Sequence, residues 1–313
     1  MNQGWIYREQ VKTIDAGQTV LEYYTKKYRH SNQSQWQARI ESGQILLNRA
    51  STNPETILQP GESLEYHRQP WTEPKVPLEF EILYEDLDLL IVNKPSGLPV
   101  IPGGGFLKHT LLGQLKKYYP HQTPTPIHRL GRGTSGLLLL GRSQPAKSSL
   151  AAQMRYSTAG QDNSQLSKVY RVLVQGNVKS DRLTIKQPIG KIPHPLLGYI
   201  YGANAQGKYA HSESKVIQRY DNHTLLEVTI FTGRPHQIRI HMASVGHPLL
   251  GDPLYIKGGT FAPIQEKQGT IPVPGDCGYF LHAYSISFVH PQSLKKLVIE
   301  CSTPSEWNNL YSK

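Results

Sequence analysis

The spacing of apolar residues divides the chain into a short first part and a long second part. Around Thr19 to Tyr28, and again around Ser34 to Glu41, apolar residues recur at the interval of an amphipathic helix. The segments that follow, SGQILLNRA and LQPGESLEY, are typical of short strands joined by turns. Over residues 1–70 the pattern therefore predicts a small α/β unit, a helical hairpin followed by strands.

Strand patterns dominate the second part, which a proline-rich linker over residues 71–79 separates from the first. Proline lacks a backbone donor, so the linker suits neither helix nor sheet. Beyond it, strand patterns occur at FEILYEDLDLLIVNKPSGLPV, KVYRVLVQG, HSESKVIQRY, TLLEVTIF, YFLHAYSISFVHP and KKLVIECSTP. Helical spacing is clearest near His109 to Tyr118 and Gln144 to Tyr156. We expect an α+β domain over residues 80–313, built on a mixed, mainly antiparallel sheet.

The charge of the chain favours a polyanionic partner. Lys and Arg number 34 against 23 Asp and Glu, which gives a formal net charge of +11. The first 70 residues are close to neutral, so most of the positive charge lies beyond them. Within them, Lys26, Lys27, Arg29 and Arg39 form a candidate face for phosphate contacts, the alternative being an ordinary solvated helix surface.

Other features exclude several classes of protein. Cys277 and Cys301 lie far apart without CxxC spacing, so we expect a reducing, cytoplasmic setting and no disulfide framework or zinc site. The pair His236 and His241 does not have the spacing of a zinc-protease motif, and no metal is expected there. No signal-peptide pattern and no run of about 18 apolar residues occurs, which predicts a protein that neither spans a membrane nor is exported.

A polar, glycine-rich loop precedes a strongly apolar strand in PIHRLGRGTSGLLLLGRS. Gly131, Gly133 and Gly136 permit positive φ or the close approach of a ligand. Arg129 and Arg132 offer guanidinium groups to phosphate or base. The spacing matches neither GxGxxG nor GxxxxGK[ST], so a nucleotide cofactor is not expected.

Two further segments carry candidate site residues. In SKVYRVLVQG the alternation puts Lys168 and Tyr170 on one face of a strand. A tyrosine on a strand usually belongs to the core, but beside an arginine-rich loop Tyr170 could stack on a flipped base. The segment FTGRPHQIRIHMASVGHPLLGDPLY concentrates arginines and histidines before a GDP turn.

In this order the segments resemble the RluA-type family of RNA pseudouridine synthases over nearly the whole chain. HRLGRGTSGLLL resembles the family's HRLDxxTSGLLL, and TGRPHQIRIH is similar to TGRxHQIRxH. NKPSGL, KVYRVLVQG, GHPLLGDPLY and LHAYSISFVHP add support. Residues 1–70 resemble an S4-like RNA-binding domain through GxILLN and PGExLxY. The resemblance implies the pseudouridine synthase fold with an appended S4-like unit.

It also implies a function. Such an enzyme isomerises uridine to pseudouridine in structured RNA, here expected to be ribosomal or transfer RNA, with no metal or cofactor and with a monomer as the default. In the family an aspartate of HRLD attacks or deprotonates the nucleoside, a tyrosine packs on the base and an arginine pairs with the aspartate. Tyr170 and Arg239 match the last two, and Arg129 matches the arginine that helps displace the target base. Further expected RNA contacts are Lys26, Lys27, Arg29, Arg39, Lys94, Arg132, Thr134, Lys168, Arg234 and His236.

The chain departs from the family at the aspartate, whose position is Gly131. Glycine has no side chain to attack or ionise, and Arg239 would need another partner, which we expect to be solvent, substrate phosphate or a different acid. Two interpretations follow. Either another acid substitutes, or the protein is catalytically silent and only binds RNA. The candidate acids are Asp86, Asp88, Asp162 and Asp252, although each also fits a turn, loop or strand boundary.

Overall fold

The structure is a computed structural model that describes residues 1–159, 165–256, 258–260 and 271–308. The chain divides into two compact units. The first comprises residues 1–73 with 194–198, and the second comprises residues 74–193 with 199 onward. The S4-like identity of the first unit stays a prediction.

The first unit contains the predicted helical hairpin and strands. Its elements are β1 Trp5–Gln10, α1 Val20–Lys27, α2 Gln33–Glu41, β2 Ile45–Leu47, β3 Ala50–Ser51 and β4 Ser63–Arg68. Both helices begin at a reciprocal capping box, Thr19 with Glu22 and Asn32 with Gln35, which fixes their first turns locally. The strands form one sheet in the order β1-β4-β2-β3, and Trp36 packs at the centre of the core between helices and sheet.

The second unit is built on one large sheet. Its elements are β5 Glu81–Glu85, β6 Leu89–Lys94, α3 Leu111–Tyr118, β7 Thr125–Pro126, β8 Ser135–Gly141, α4 Gln144–Ala159, β9 Ser167–Gln175, β10 Arg182–Ile185, β11 Ile189–His194, β12 Gly198–Ala203, β13 Ser212–Arg219, β14 His223–Ile230, α5 Gln237–Ser244, β15 Leu281–Val289 and β16 Lys296–Glu300. Ten strands join in the order β10-β13-β14-β9-β15-β8-β6-β5, with β16 beside β15 and β7 beside β8. The predicted α+β class is confirmed.

One parallel pairing decides where the loops meet. Strand β15 runs parallel to β8, whereas the other pairings of this sheet are antiparallel. Because parallel strands start at the same edge, the glycine-rich loop before β8 and the segment before β15 lie together. Every residue of β8 is buried, which anchors that edge in the core. Among the described helices, none is long and apolar enough to cross a membrane.

Lys94 is the last residue of β6, and its position corrects the predicted RNA contact. Its side chain is fully buried, and the Nζ atom donates to the carbonyls of Pro95, Leu98 and Arg132 at 2.7, 2.8 and 3.3 Å. Burial lowers the pKa of Lys94 to about 7. A group enclosed in this way holds the strand end to the loop, so it does not make the phosphate contact predicted from its charge.

Lys168, on β9, is likewise buried rather than available to RNA. Only 6% of it is exposed, and its Nζ atom lies 3.4 Å from the sulfur of Met154 on α4. Burial lowers the pKa of Lys168 from 10.5 to about 8. Burial and the charge of Lys168 also lower the pKa of neighbouring His128 to about 3, so that ring stays neutral. The predicted RNA contact at Lys168 is therefore wrong, because the ammonium does not reach the surface.

We predict that Lys168→Met stabilises the protein at pH 7 by about 1–3 kcal/mol, since it removes the cost of a buried charge. The folded chain binds fewer protons than the unfolded chain between pH 8 and pH 10.5. Wild-type stability therefore rises across that window, and the advantage of the variant shrinks there. Chemical unfolding measured from pH 7 to pH 10.5 tests this, with exposed Lys116→Met as the control. A variant less stable than the wild type at pH 7 would contradict it.

Candidate active site

A buried ion pair lies at the centre of the site. Arg239, in α5, donates from Nε and Nη2 to the two carboxylate oxygens of Asp252, both at 2.7 Å. The two side chains are 2% and 0% exposed. Asp252 also accepts the backbone N–H groups of Leu254 and Tyr255 at 2.8 and 3.1 Å. Burial opposes the charge on Arg239, but the hydrogen-bonded carboxylate outweighs it and raises the pKa of that guanidinium.

Two tyrosine rings enclose the same guanidinium. Its central carbon lies 4.1 Å from the ring centre of Tyr279 and 5.0 Å from that of Tyr255. A cation so close to an aromatic face is attracted by the ring, most strongly away from water. Burial raises the pKa of Tyr279, so its hydroxyl is a neutral proton donor at pH 7. Arg239 and Asp252 thus fix the position of Tyr279 as well as of each other.

Tyr279 also takes up the space left at Gly131. A Cβ atom built on Gly131 would lie 2.9 Å from the Tyr279 hydroxyl oxygen and 3.4 Å from that of Thr134. A Cβ on Gly133 would lie 2.9 Å from the Tyr279 ring. Neither glycine has positive φ, whereas Gly136 has a φ of 102°. The first two glycines therefore serve close packing of an aromatic ring, and only the third needs the left-handed region.

Asp252 is the different acid that Arg239 was expected to need. Its oxygen atoms accept four hydrogen bonds from Arg239 and from two backbone groups, and the side chain has no exposed surface. An oxygen held in this way is not free to attack or deprotonate a nucleoside. Asp252 is therefore a positioning residue and does not replace the missing nucleophile.

The other candidate acids lie elsewhere. Asp86 and Asp88 precede β6, whose six residues separate them from Lys94 by about 20 Å. Asp86 is hydrogen-bonded to His290 at 2.8 Å, and Asp88 to Ser143 at 2.6 Å. Asp86, Asp88 and His290 are also the one described group whose ligand atoms, within 4.8 Å of one another, could hold a cation. Asp162 lies outside the described residues.

Tyr170 lies in the same part of the sheet as the loop. Ala283 pairs with Tyr170 on one side and with Gly136 on the other, so the three form a row across β9, β15 and β8. Two strand spacings separate Tyr170 from Gly136 by about 10 Å. Tyr170 is 8% exposed, and burial raises the pKa of its hydroxyl to about 12. Its predicted role of packing on a base stays a prediction.

The polar residues around the loop differ in how free they are. Arg129 is exposed, and its guanidinium has no partner among the described residues. Arg132 donates to the carbonyl of Gly275 at 2.8 Å, and Arg234 to that of Tyr209 at 2.8 Å. Thr134 is buried, with its hydroxyl 3.4 Å from that of Tyr279. Arg129 is the loop cation best placed to meet a phosphate.

His236 precedes α5 in a left-handed conformation, with φ of 55°, and its Nδ1 atom lies 2.7 Å from the hydroxyl oxygen of Tyr255. Burial, aided by Arg239, lowers the pKa of His236 to about 4. The ring is neutral at pH 7 and adds no positive charge to the site. An RNA contact by His236, if made, is a hydrogen bond and not an ion pair.

The cations predicted in the first unit are mostly at the surface. Lys26 and Arg29 are exposed, whereas Lys27 is paired with Glu9 at 2.7 Å. Arg39 is half-buried and donates to the Ser31 hydroxyl at 2.8 Å. Their contacts with RNA stay predictions, and the charge of Lys27 is already balanced.

Sequence reasoning missed Tyr279. Its own segment, GDCGYFLHAY, carries no pattern that distinguishes it from an ordinary core tyrosine. The only available signal was indirect, since a loop that loses a side chain leaves room for a residue from elsewhere in the chain. Locating that residue needed the parallel pairing of β8 and β15.

Comparisons with known proteins find relatives over most of the chain. The sequence profile described as RNA pseudouridylate synthase matches residues 88–244. An uncharacterised RNA pseudouridine synthase of Synechocystis sp. is 45% identical over 92% of this chain and 94% of its own length. Ribosomal large subunit pseudouridine synthase D of Neisseria meningitidis is 32% identical over 94% of this chain and 77% of its own.

A solved structure shows the same fold. Human RNA pseudouridylate synthase domain containing 1 aligns with a TM-score of 0.55 at 23% identity, over 74% of this chain and 87% of that one. The chain belongs to the RluA-type family of RNA pseudouridine synthases.

Proposed function

We propose that this protein isomerises uridine to pseudouridine in structured RNA, ribosomal or transfer RNA, as a cytoplasmic monomer without metal or cofactor. The relative from Neisseria is named for the large ribosomal subunit, which supports ribosomal RNA as the first class to test. The chain's positive charge of +11 suits a phosphate-rich substrate.

The observation that carries the proposal is the intact ion pair of Arg239 beneath the glycine-rich loop. A bidentate, buried guanidinium and carboxylate support the Tyr279 ring, whose hydroxyl lies 3.4 Å from that of Thr134 in the loop, although residue 131 has no side chain. Through this pair the chain holds the arginine of the family motif charged and in a fixed position. Support also comes from the exposed Arg129 beside the loop and from Tyr170 in the same row of the sheet.

The proposed reaction gives a role to the groups at this site. Isomerisation exchanges the bond between N1 and the ribose C1′ for one between C5 and C1′, and the proton on C5 is replaced by one on N1. Tyr279 offers a neutral hydroxyl at the place of the family aspartate, because burial raises its pKa. In the proposed reaction this hydroxyl donates a hydrogen bond to the departing uracil.

A second candidate function is favoured by the same position. None of the three described candidate acids offers a free carboxylate at Gly131, since Asp252 is fully hydrogen-bonded and Asp86 and Asp88 lie about 20 Å along β6. A protein of this fold that binds RNA and leaves uridine unchanged accounts for that finding. Pseudouridine mapping separates the two functions.

We predict that deleting the gene removes pseudouridine from at least one uridine position in cellular RNA. Mapping every RNA class from cells with and without the protein provides the measurement. Re-expression of the wild type should restore the site, and Arg239→Met, which leaves Asp252 buried without its partner, should not. If no position is lost in any RNA class, the isomerase function is wrong and the RNA-binding function stands.

We predict that Gly131→Asp gains activity only when Tyr279 makes room. The added Cβ would lie 2.9 Å from the Tyr279 hydroxyl oxygen, so the single variant must displace that ring. The double variant Gly131→Asp with Tyr279→Phe lacks the hydroxyl oxygen that the added Cβ would meet. A positioned acid or base is worth about a hundredfold or more in rate, and pseudouridine formation by the double variant should exceed that of either single variant by this order.

Tyr279→Phe alone is the control for loss of the hydroxyl, and the unfolding midpoint of each variant shows whether it is folded. A folded double variant no more active than the wild type would show that the site lacks more than a carboxylate.

A further inference from the structure

The edge strand of the first unit exposes two large aromatic rings. Trp5 and Tyr7, both in β1, are 50% and 46% exposed. They lie on one face of the sheet, because Trp5 pairs with Arg68 and Tyr7 with Tyr66 of β4. The Tyr7 and Tyr66 rings stack, with centres 5.8 Å apart and planes 16° apart. One face of Tyr7 is thus supported by the core, and the other is free.

Two arginines of the same unit lie over neighbouring aromatic rings. Arg68 places its guanidinium 3.6 Å from the ring centre of Trp71, and Arg39 places its own 4.5 Å from Trp36 and 5.7 Å from Tyr66. Neither arginine forms an ion pair among the described residues. Burial and the charges of both arginines lower the pKa of His30, as expected in a region of positive potential.

Glu9 and Glu65, the carboxylates of β1 and β4, are already matched. Glu9, farther along the same face of β1, is paired with Lys27 at 2.7 Å. Glu65 pairs in register with Arg8, which alternation puts on the opposite face, and binds it at 3.0 Å. The aromatic rings therefore lie beside uncompensated positive charge, which suits a polyanion better than an apolar protein surface.

We infer that Trp5, Tyr7 and Tyr66, with Arg39 and Arg68, form a stacking platform for unpaired nucleotides of RNA. Bases stack on the free faces of Trp5 and Tyr7, and the arginines contact the backbone phosphates; this combination is how single strands are bound without sequence preference. The inference rests on the proposal that the chain binds RNA. It adds a second contact, on a sheet edge, for unpaired nucleotides flanking the structured target.

The full-length protein is tested with two labelled RNA probes, a blunt hairpin and the same hairpin with a short oligouridine tail. The wild type should bind the tailed probe more tightly. Trp5→Ala and Tyr7→Ala should each weaken binding of the tailed probe by about tenfold or more, the usual effect of losing one stacked base, and leave the blunt probe unchanged. Arg68→Gln should lower the salt dependence of binding, by about one in the log–log slope.

Conservative variants separate stacking from folding. Trp5→Phe and Tyr7→Phe keep a ring and should keep the affinity, but Trp5→Phe should lose part of the tryptophan quenching seen when the tail binds. Ile57→Ala is the matched control, because this apolar side chain is 57% exposed in the same unit and outside the platform. Unfolding midpoints of all variants are compared with that of the wild type.

Equal binding of the two probes by the wild type, or no loss in folded Trp5→Ala and Tyr7→Ala, overturns the platform. Equal weakening on both probes also overturns it, since the rings then do not recognise unpaired nucleotides. This result is independent of the isomerase proposal, because binding is measured without product formation. Gene deletion can leave every pseudouridine in place while the wild type still prefers the tailed probe. The reverse combination of results is also distinguishable.

Discussion

The site depends on one buried ion pair, between Arg239 and Asp252. A guanidinium and a carboxylate at 2% and 0% exposure are tolerated only with close geometry and with their remaining hydrogen-bonding capacity filled. Both conditions hold, because two bonds of 2.7 Å join the pair and two backbone N–H groups complete the carboxylate. The pair fixes α5 against the turn that follows it and gives the Tyr279 ring a cation to pack on.

Gly131 does more than remove a side chain from a site that otherwise matches the family. A Cβ atom at residue 131 would lie only 2.9 Å from the Tyr279 hydroxyl oxygen, and Gly133 gives the ring its space. The family aspartate and the Tyr279 ring therefore exclude each other unless one of them moves. The chain keeps the charge that the family places beneath its loop, and it offers a neutral hydroxyl where the family offers a carboxylate. Activity at this site therefore depends on residues 131 and 279 together.

Features set by neighbours in sequence could be predicted, and features set by distant neighbours could not. Helices α1 and α2 follow from apolar spacing and local caps, and the sheet class follows from alternation. The loop was found because its motif is contiguous. Lys94 and Lys168 were misassigned because a sequence shows charge but not burial. Tyr279 was missed, and the role of Asp252 was left open, because their partners are brought near by the parallel pairing of β8 with β15 and by the turn after α5.

The most direct measurement of this account is a double-mutant cycle on the free energy of unfolding, with Arg239→Met, Asp252→Asn and the double variant. If the pair holds the site, each single variant leaves a buried group unmatched and loses about 3–5 kcal/mol. The double variant should then lose clearly less free energy of unfolding than the two single variants added together, because it leaves no unpaired charge buried. Single losses below about 1 kcal/mol that simply add would contradict it, and would mean that the site is held by something other than Arg239 and Asp252.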